Sequence, residues 1–323
     1  MTTLLSVRDL YVTFPSARGP SRGLSHAVQD VSFEVAEGEA LGIVGESGSG
    51  KSITSLALLR MVPKPGAVSG DIFFEGRDVG SFGEKDLRAM RGSKLSMIFQ
   101  DPMTSLNPFL PVWVQIAEVT REHLGHSRAE ARDHAVHMLE TVGIPDAASR
   151  ATEYPHQFSG GMRQRVMIAI SLACKPKLLI ADEPTTALDV TIQAQILELL
   201  RERRRDSQAA LILITHDLGI IAENADRVMV MYAGRVMESA PVAELFRNPQ
   251  NPYTRALLRC IPEAGRREGR LFQIAGQPPD VSALQPDQCP FAERCPEVVD
   301  RCRREHPPLH AAGGNHWSRC WVR

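Results

Sequence analysis

Apolar and polar positions alternate over residues 4–14, and the pattern stops at Pro15, which predicts a strand. Residues 16–25 are rich in Gly, Ser, Pro and Arg and read as a loop. Val28–Val35 predicts a second strand, followed by the turn Glu37-Gly38-Glu39. Ala40–Val44 is a short apolar run that feeds directly into a glycine-rich loop, and Ile53–Met61 then takes helical spacing. From about Asp101 to Glu153 the period becomes that of helices, with Val114–Leu124 and Arg128–Val142 as the main segments, and Ser159–Cys174 predicts another helix. Lys177–Ile180 and Ala209–Ile214 are almost wholly apolar, as buried strands of a parallel sheet are. Arg227–Met231 and Arg235–Met237 flank Ala233-Gly234 as final strands. After about Ala240 the chain becomes Pro-rich and irregular, which marks a change of domain. No internal repeat or low-complexity tract interrupts this order.

The length of 323 residues, 43% hydrophobic and 23% charged, suits one large domain with a smaller appendage, or two domains. Lys and Arg total 37 against 38 acids, for a net charge of −1, so no overall field draws the chain to nucleic acid. Arg201, Arg203, Arg204 and Arg205 read as a solvated helix face. The N-terminus lacks the basic start and apolar core of a secretory signal. Apolar runs such as Ala209–Ile214 fall far short of the roughly 18 residues that a spanning helix needs. The expectation is a cytosolic chain that meets a membrane only through a partner.

Gly45-Glu46-Ser47-Gly48-Ser49-Gly50-Lys51-Ser52 matches the P-loop pattern G-x-x-x-x-G-K-[ST], between a predicted strand and a predicted helix. Glycines let such a loop wrap closely, so that successive backbone N–H groups face phosphate oxygens at the positive end of the next helix. Lys51 is expected to reach the β- and γ-phosphates of ATP, and Ser52 to ligate Mg²⁺. The apolar strand ending in Asp182-Glu183 puts two acids at a strand's C-terminal edge, where open α/β sheets bind ligands. Alone it would read as a solvated strand end. Paired with a P-loop, it predicts Asp182 orienting Mg²⁺ and Glu183 polarising the attacking water. Ser159-Gly160-Gly161 opens a helix whose bare N–H groups suit a further phosphate contact. A Ser N-cap explains that helix start but not both glycines. One subunit does not need two phosphate sites for one ATP, so the economical arrangement is a dimer in which this element closes over a partner's nucleotide.

Together these residues resemble the ATPase subunits of ABC transporters, over about Leu4 to Ala240 and in the family's motif order. The resemblance implies a P-loop α/β core with an antiparallel β subdomain and a helical insertion, about residues 101–165. It makes Gln100, in Met-Ile-Phe-Gln-Asp-Pro, a Q-loop ligand of Mg²⁺, and Ser159, Gly160 and Gly161 the family signature, with Met162 where Gln is usual. It makes Asp189 the D-loop acid, His216 the switch histidine and Phe14 the aromatic on adenine, with Tyr11 as second choice. Gly45, Ser47, Gly48, Ser49, Gly50, Lys51 and Ser52 would hold the phosphates. Within the family, the segments around the signature and the acids, and Asn248-Pro-Gln-Asn-Pro-Tyr-Thr-Arg-Ala-Leu-Leu, resemble the D-type ATPase of bacterial oligopeptide and dipeptide importers, a set that includes nickel importers. This implies a second, related ATPase subunit, two transmembrane permease subunits and an extracytoplasmic solute-binding protein, at the cytoplasmic face of the membrane. The rival readings are a soluble ABC ATPase on DNA or ribosomes, and a subunit with degraded catalytic residues. A single cassette without a long heptad tract speaks against the first. Glu183 and His216 speak against the second.

Of six cysteines, Cys289, Cys295, Cys302 and Cys320 lie in the last 35 residues, while Cys174 and Cys260 stand apart. Four thiolates can bind zinc or an iron–sulfur cluster, and thiols or disulfides without metal are the third option. No C-x(2–4)-C hook of the zinc type occurs. Some of the importer ATPases that the chain resembles carry a [4Fe–4S] cluster on a similar pattern. The expectation is therefore a Cys-rich accessory domain, residues 241–323, with these four as cluster ligands.

Overall fold

The computed structural model describes residues 2–16, 23–186, 188–261, 272–282, 284 and 287–322. Most of the predicted loop at 16–25, Ala187 of the D-loop and part of the Pro-rich segment before Pro290 lie outside these. The chain divides into two compact units, Met1–Leu4, Ala36–Glu39 and Ser81–Leu213 in one, and Leu5–Val35, Ala40–Gly80 and Ile214–Arg323 in the other.

In the first unit, strands Leu95–Ile98 and Leu178–Asp182 run parallel, with Ile98 opposite Ala181. Both are fully buried, as strands covered on two faces must be. Around them the predicted helical region forms Val112–Leu124, Arg128–Thr141 and Gly160–Leu172. Arg128–Thr141 starts on a capping box: the Ser127 hydroxyl accepts from the Glu130 N–H, and the Glu130 carboxylate accepts from the Ser127 N–H. Gly125, at φ 69°, ends the helix before it in the left-handed conformation that glycine adopts without penalty. The helix Val190–Ser207 follows the acid strand.

In the second unit, Ala40–Val44 pairs in parallel with Arg227–Tyr232, from Leu41 opposite Arg227 to Val44 opposite Val230. Arg227–Tyr232 pairs antiparallel with Arg235–Pro241, and the left-handed Ala233 and Gly234 make the turn between them. A second sheet runs in the order Leu24–Ala36, Thr3–Pro15, Ala67–Phe74, Arg77–Asp78, and its pairs Thr3–Pro15 with Ala67–Phe74 and Ala67–Phe74 with Arg77–Asp78 are antiparallel.

The region after Ala240 holds more regular structure than its Pro-rich sequence predicts. Val242–Arg247 and Pro252–Arg259 are helical, and the hairpin of His310–Gly313 and His316–Ser318 pairs with Arg235–Pro241, placing Glu238 opposite Ser318. The four-thiol segment thus belongs to the same unit as the P-loop. Its anchor is Glu238, fully buried, whose carboxylate accepts from the backbone N–H of Gln250 at 2.6 Å, that of Asn251 at 3.0 Å and His316 Nε2 at 2.7 Å. Asn251 in turn donates to the carbonyls of Met237 and Arg319. A buried carboxylate is tolerated only with such saturation of its lone pairs.

Candidate nucleotide site

The buried strand Ala40–Val44 delivers the chain into the P-loop. Gly45 has φ 156°, and a Cβ there would lie 2.1 Å from the Met231 carbonyl oxygen, so no other residue fits. A Cβ on Gly48 would meet nothing within 4 Å, which leaves the loop's tip open. Lys51 is 6% exposed, and its ammonium donates to the carbonyls of Gly45 at 2.8 Å and Glu46 at 3.0 Å and to the Ser49 hydroxyl at 3.3 Å. A curled loop with an inward ammonium and an open tip is a donor set suited to a polyphosphate. Ser52 lies in the first turn of the helix Lys51–Leu58. In the same unit Phe14 packs on the chain at Gly66, where a Cβ would come 2.7 Å from its ring. His216 follows the strand Ala210–Thr215, exposed, just before the Asp217 cap of the next helix.

The other unit carries the acids. Pairing of Ile98 with Ala181 brings the residues after each strand together, and Gln100 Nε2 donates to Glu183 Oε2 at 3.2 Å. The Thr186 hydroxyl donates to the same oxygen at 2.7 Å. Glu183 sits at φ 45°, a left-handed conformation that costs a non-glycine residue about 1–3 kcal/mol. Strain of this kind persists where neighbours over-determine it, and here two side-chain donors fix the carboxylate. Asp182, 3% exposed, precedes it. The Ser159 hydroxyl caps its helix by accepting from the Met162 N–H at 3.3 Å. Gly160 has open space where a Cβ would be, and Gly161 lies against Ile192, where a Cβ would come within 3.1 Å. Ile192 N–H is bonded to the Asp189 carboxylate, which caps Val190–Ser207. Signature and D-loop acid are therefore neighbours. Gln100, Asp182, Glu183, Ser159, Gly160, Gly161 and Asp189 belong to this unit, and Phe14, the P-loop and His216 to the other.

The iron–sulfur expectation is overturned. Among the described residues no group of three or more His, Cys, Asp or Glu side chains is placed to hold a metal ion, although Cys289, Cys295, Cys302 and Cys320 are all described. No disulfide joins any of the six cysteines. Burial pushes the Cys289 thiol up to about 12 and raises Cys295 as well.

Sequence reasoning missed a set of groups behind the P-loop. The Tyr253 hydroxyl accepts from the Glu46 N–H at 3.0 Å, and Arg294 pairs with the Glu46 carboxylate. These partners lie 207 and 248 residues from Glu46, and only the Asn-Pro-Tyr segment, noted for its resemblance, pointed toward one of them.

The ABC transporter family model matches residues 28–186, and the model for the oligopeptide/dipeptide transporter C-terminal region matches residues 237–302. The chain is 48% identical to the oligopeptide transport ATP-binding protein OppD of Salmonella typhimurium, over 98% of this chain and 93% of that protein. It is 49% identical to the dipeptide transport ATP-binding protein DppD of Escherichia coli, over 98% of this chain and 96% of that one. Among solved structures, the dimeric post-hydrolysis state of an ATP-binding cassette bound to ADP and phosphate superposes with a TM-score of 0.65 at 25% identity, covering 74% of this chain and 98% of the other. The fold is the mixed α/β ATPase cassette, and the chain belongs to the family of ABC transporter ATP-binding proteins that includes the oligopeptide and dipeptide ATPases.

Proposed function

We propose that this chain binds MgATP and hydrolyses it to drive import of oligopeptides or dipeptides, as a peripheral subunit at the cytoplasmic face of the membrane. The observation that carries the hydrolytic reading is the Glu183 carboxylate, held in a strained backbone by Gln100 and Thr186 directly after a buried aspartate. A general base needs this fixed orientation toward its water. Ser52, Gln100 and Asp182 hold Mg²⁺, which offsets phosphate charge when bound. Gly45, Ser47, Gly48, Ser49, Gly50, Lys51 and Ser52 hold the phosphates. Phe14 stacks on adenine, and His216 donates to the terminal phosphate.

Family membership and exposed apolar groups support the following partners. Ser159, Gly160, Gly161 and Asp189 serve the nucleotide of a second, related ATPase subunit. The 82% exposed Val190, next to Asp189, suits such a contact. Phe109, 85% exposed, and Met103, 64% exposed, follow Gln100 and suit docking on one of two permease subunits. An extracytoplasmic solute-binding protein delivers the peptide. No helix among the described residues is long and apolar enough to cross a membrane, which fits contact through permeases. Residues 1–240 form the cassette and 241–323 a C-terminal accessory region.

The test is steady-state ATPase activity of the complex assembled with its partner subunits. Glu183→Gln is expected to retain ATP binding and to lose turnover by about 10²–10⁴-fold, the usual contribution of a general base. Near-normal turnover would remove Glu183 from the mechanism.

A further inference from the structure

Glu46 places a carboxylate inside a loop built to receive a polyanion. Left alone, that charge would repel the phosphates the loop binds. It is not left alone. Arg294 Nη1 and Nη2 reach the two Glu46 oxygens at 2.6 and 3.0 Å, a two-point fork, with the Arg294 side chain 6% exposed and that of Glu46 23% exposed. The guanidinium is itself fixed on every side. Nη1 also donates to the Tyr232 hydroxyl at 3.1 Å, and Nε donates to the Ala275 carbonyl at 2.9 Å. Its carbon lies 5.8 Å from the Tyr232 ring centre and 6.0 Å from that of Phe291. Tyr232, Tyr253 and Phe291 pack mutually with ring centres 4.6–5.4 Å apart, all buried. Tyr253 adds the hydrogen bond to the Glu46 N–H. A charge from the C-terminal region is therefore built, rigidly, onto the second residue of the P-loop.

We infer that Arg294 is a positioning residue for nucleotide binding: it neutralises Glu46 and holds its carboxylate away from the phosphates, so the C-terminal region completes the electrostatics of the P-loop. This rests on the reading of Gly45–Ser52 as the ATP site. Removing the cation while leaving the anion must weaken binding of the more highly charged nucleotide most. Removing both charges must restore it.

Dissociation constants for MgATP and MgADP, measured by calorimetry on the purified full chain, test this. Arg294→Met is expected to weaken MgATP binding about tenfold or more, as for the loss of a close, poorly screened charge, and MgADP binding less. Arg294→Lys is expected to fall between it and wild type. Glu46→Gln is expected to bind MgATP at least as tightly as wild type. The double variant Arg294→Met/Glu46→Gln is expected to regain affinity to within about threefold of wild type. A purely structural Arg294 would give equal losses in the single and double variants, in step with their melting temperatures. That result, or wild-type affinity in Arg294→Met, overturns the inference. If Arg294→Met does not fold, a tenfold loss in Glu46→Gln overturns it alone. The underlying assignment fails separately: wild-type protein that binds no MgATP, or Lys51→Ala binding as wild type does, removes the ATP site itself.

Discussion

At the scale of single residues, burial sets charge as often as sequence does. His306 shows this. Its ring is largely enclosed, and Arg235 and Arg319 stand nearby. Burial first, and these cations second, lower its pKa from 6.5 to about 4, against the smaller opposing effects of the Pro307 backbone and Asp30. The folded protein thus takes up a proton less readily than the unfolded chain. Stability is fully present above pH 6.5 and falls as pH drops from there toward about 4, because the unfolded state binds the extra proton. The melting temperature is expected to decline across this window in wild type, and His306→Asn is expected to flatten that part of the profile. An unchanged slope would show that other groups govern it. The cysteines show a different limit. Their spacing reads as a metal set, but spacing does not say whether four thiols are placed to hold one ion, which is a tertiary property.

At the scale of elements, legibility tracks sequence distance. The strand–loop–helix around Lys51, the acid strand and the capped helices at Ser127 and Ser159 are local, and local pattern predicts them. Leu95–Ile98 escaped notice because four residues, one of them Ser96, are too few to make a period, yet it positions Gln100. Ala67–Phe74 escaped because its first five residues are exposed, so it lacks alternation. The hairpin at His310–Ser318 depends on Glu238, some 80 residues away. Two substitutions probe elements of each kind. Gly45→Ala would drive a Cβ into the Met231 carbonyl, and it is expected to abolish nucleotide binding and destabilise the protein by about 2 kcal/mol or more. Binding within twofold of wild type would contradict this. Glu238→Ala strands two backbone donors and His316, and it is expected to cost about 3 kcal/mol and to speed amide exchange over residues 310–318. Unaltered exchange there would show that the hairpin is held by its strand pairing alone.

At the scale of the whole molecule, work on a transported solute has to leave the ATPase through its surface. Phe109 is the large apolar side chain with the greatest exposure among the described residues, and a buried interface is the physical use of such a group. Phe109→Asp is expected to leave the melting temperature of the isolated chain unchanged while cutting co-purification with the permeases by about tenfold, the scale of an interface anchor of about 1.4 kcal/mol or more. Undiminished co-purification would place the contact elsewhere.

The chain's last strand has a consequence for its birth. Arg319 donates to the Asp30 carboxylate, 289 residues upstream, and Ser318 pairs with Glu238. A ribosome adding about 5–20 residues per second needs about 15–60 s to make the second partner after the first. For the last part of that interval, about 4–16 s, Arg235–Pro241 is made but lacks its partner strand, and an open edge invites mispairing and proteases. A message cut short near its end would therefore yield a chain with every ATP motif present and its sheet unfinished, fit for degradation before it could reach a transporter.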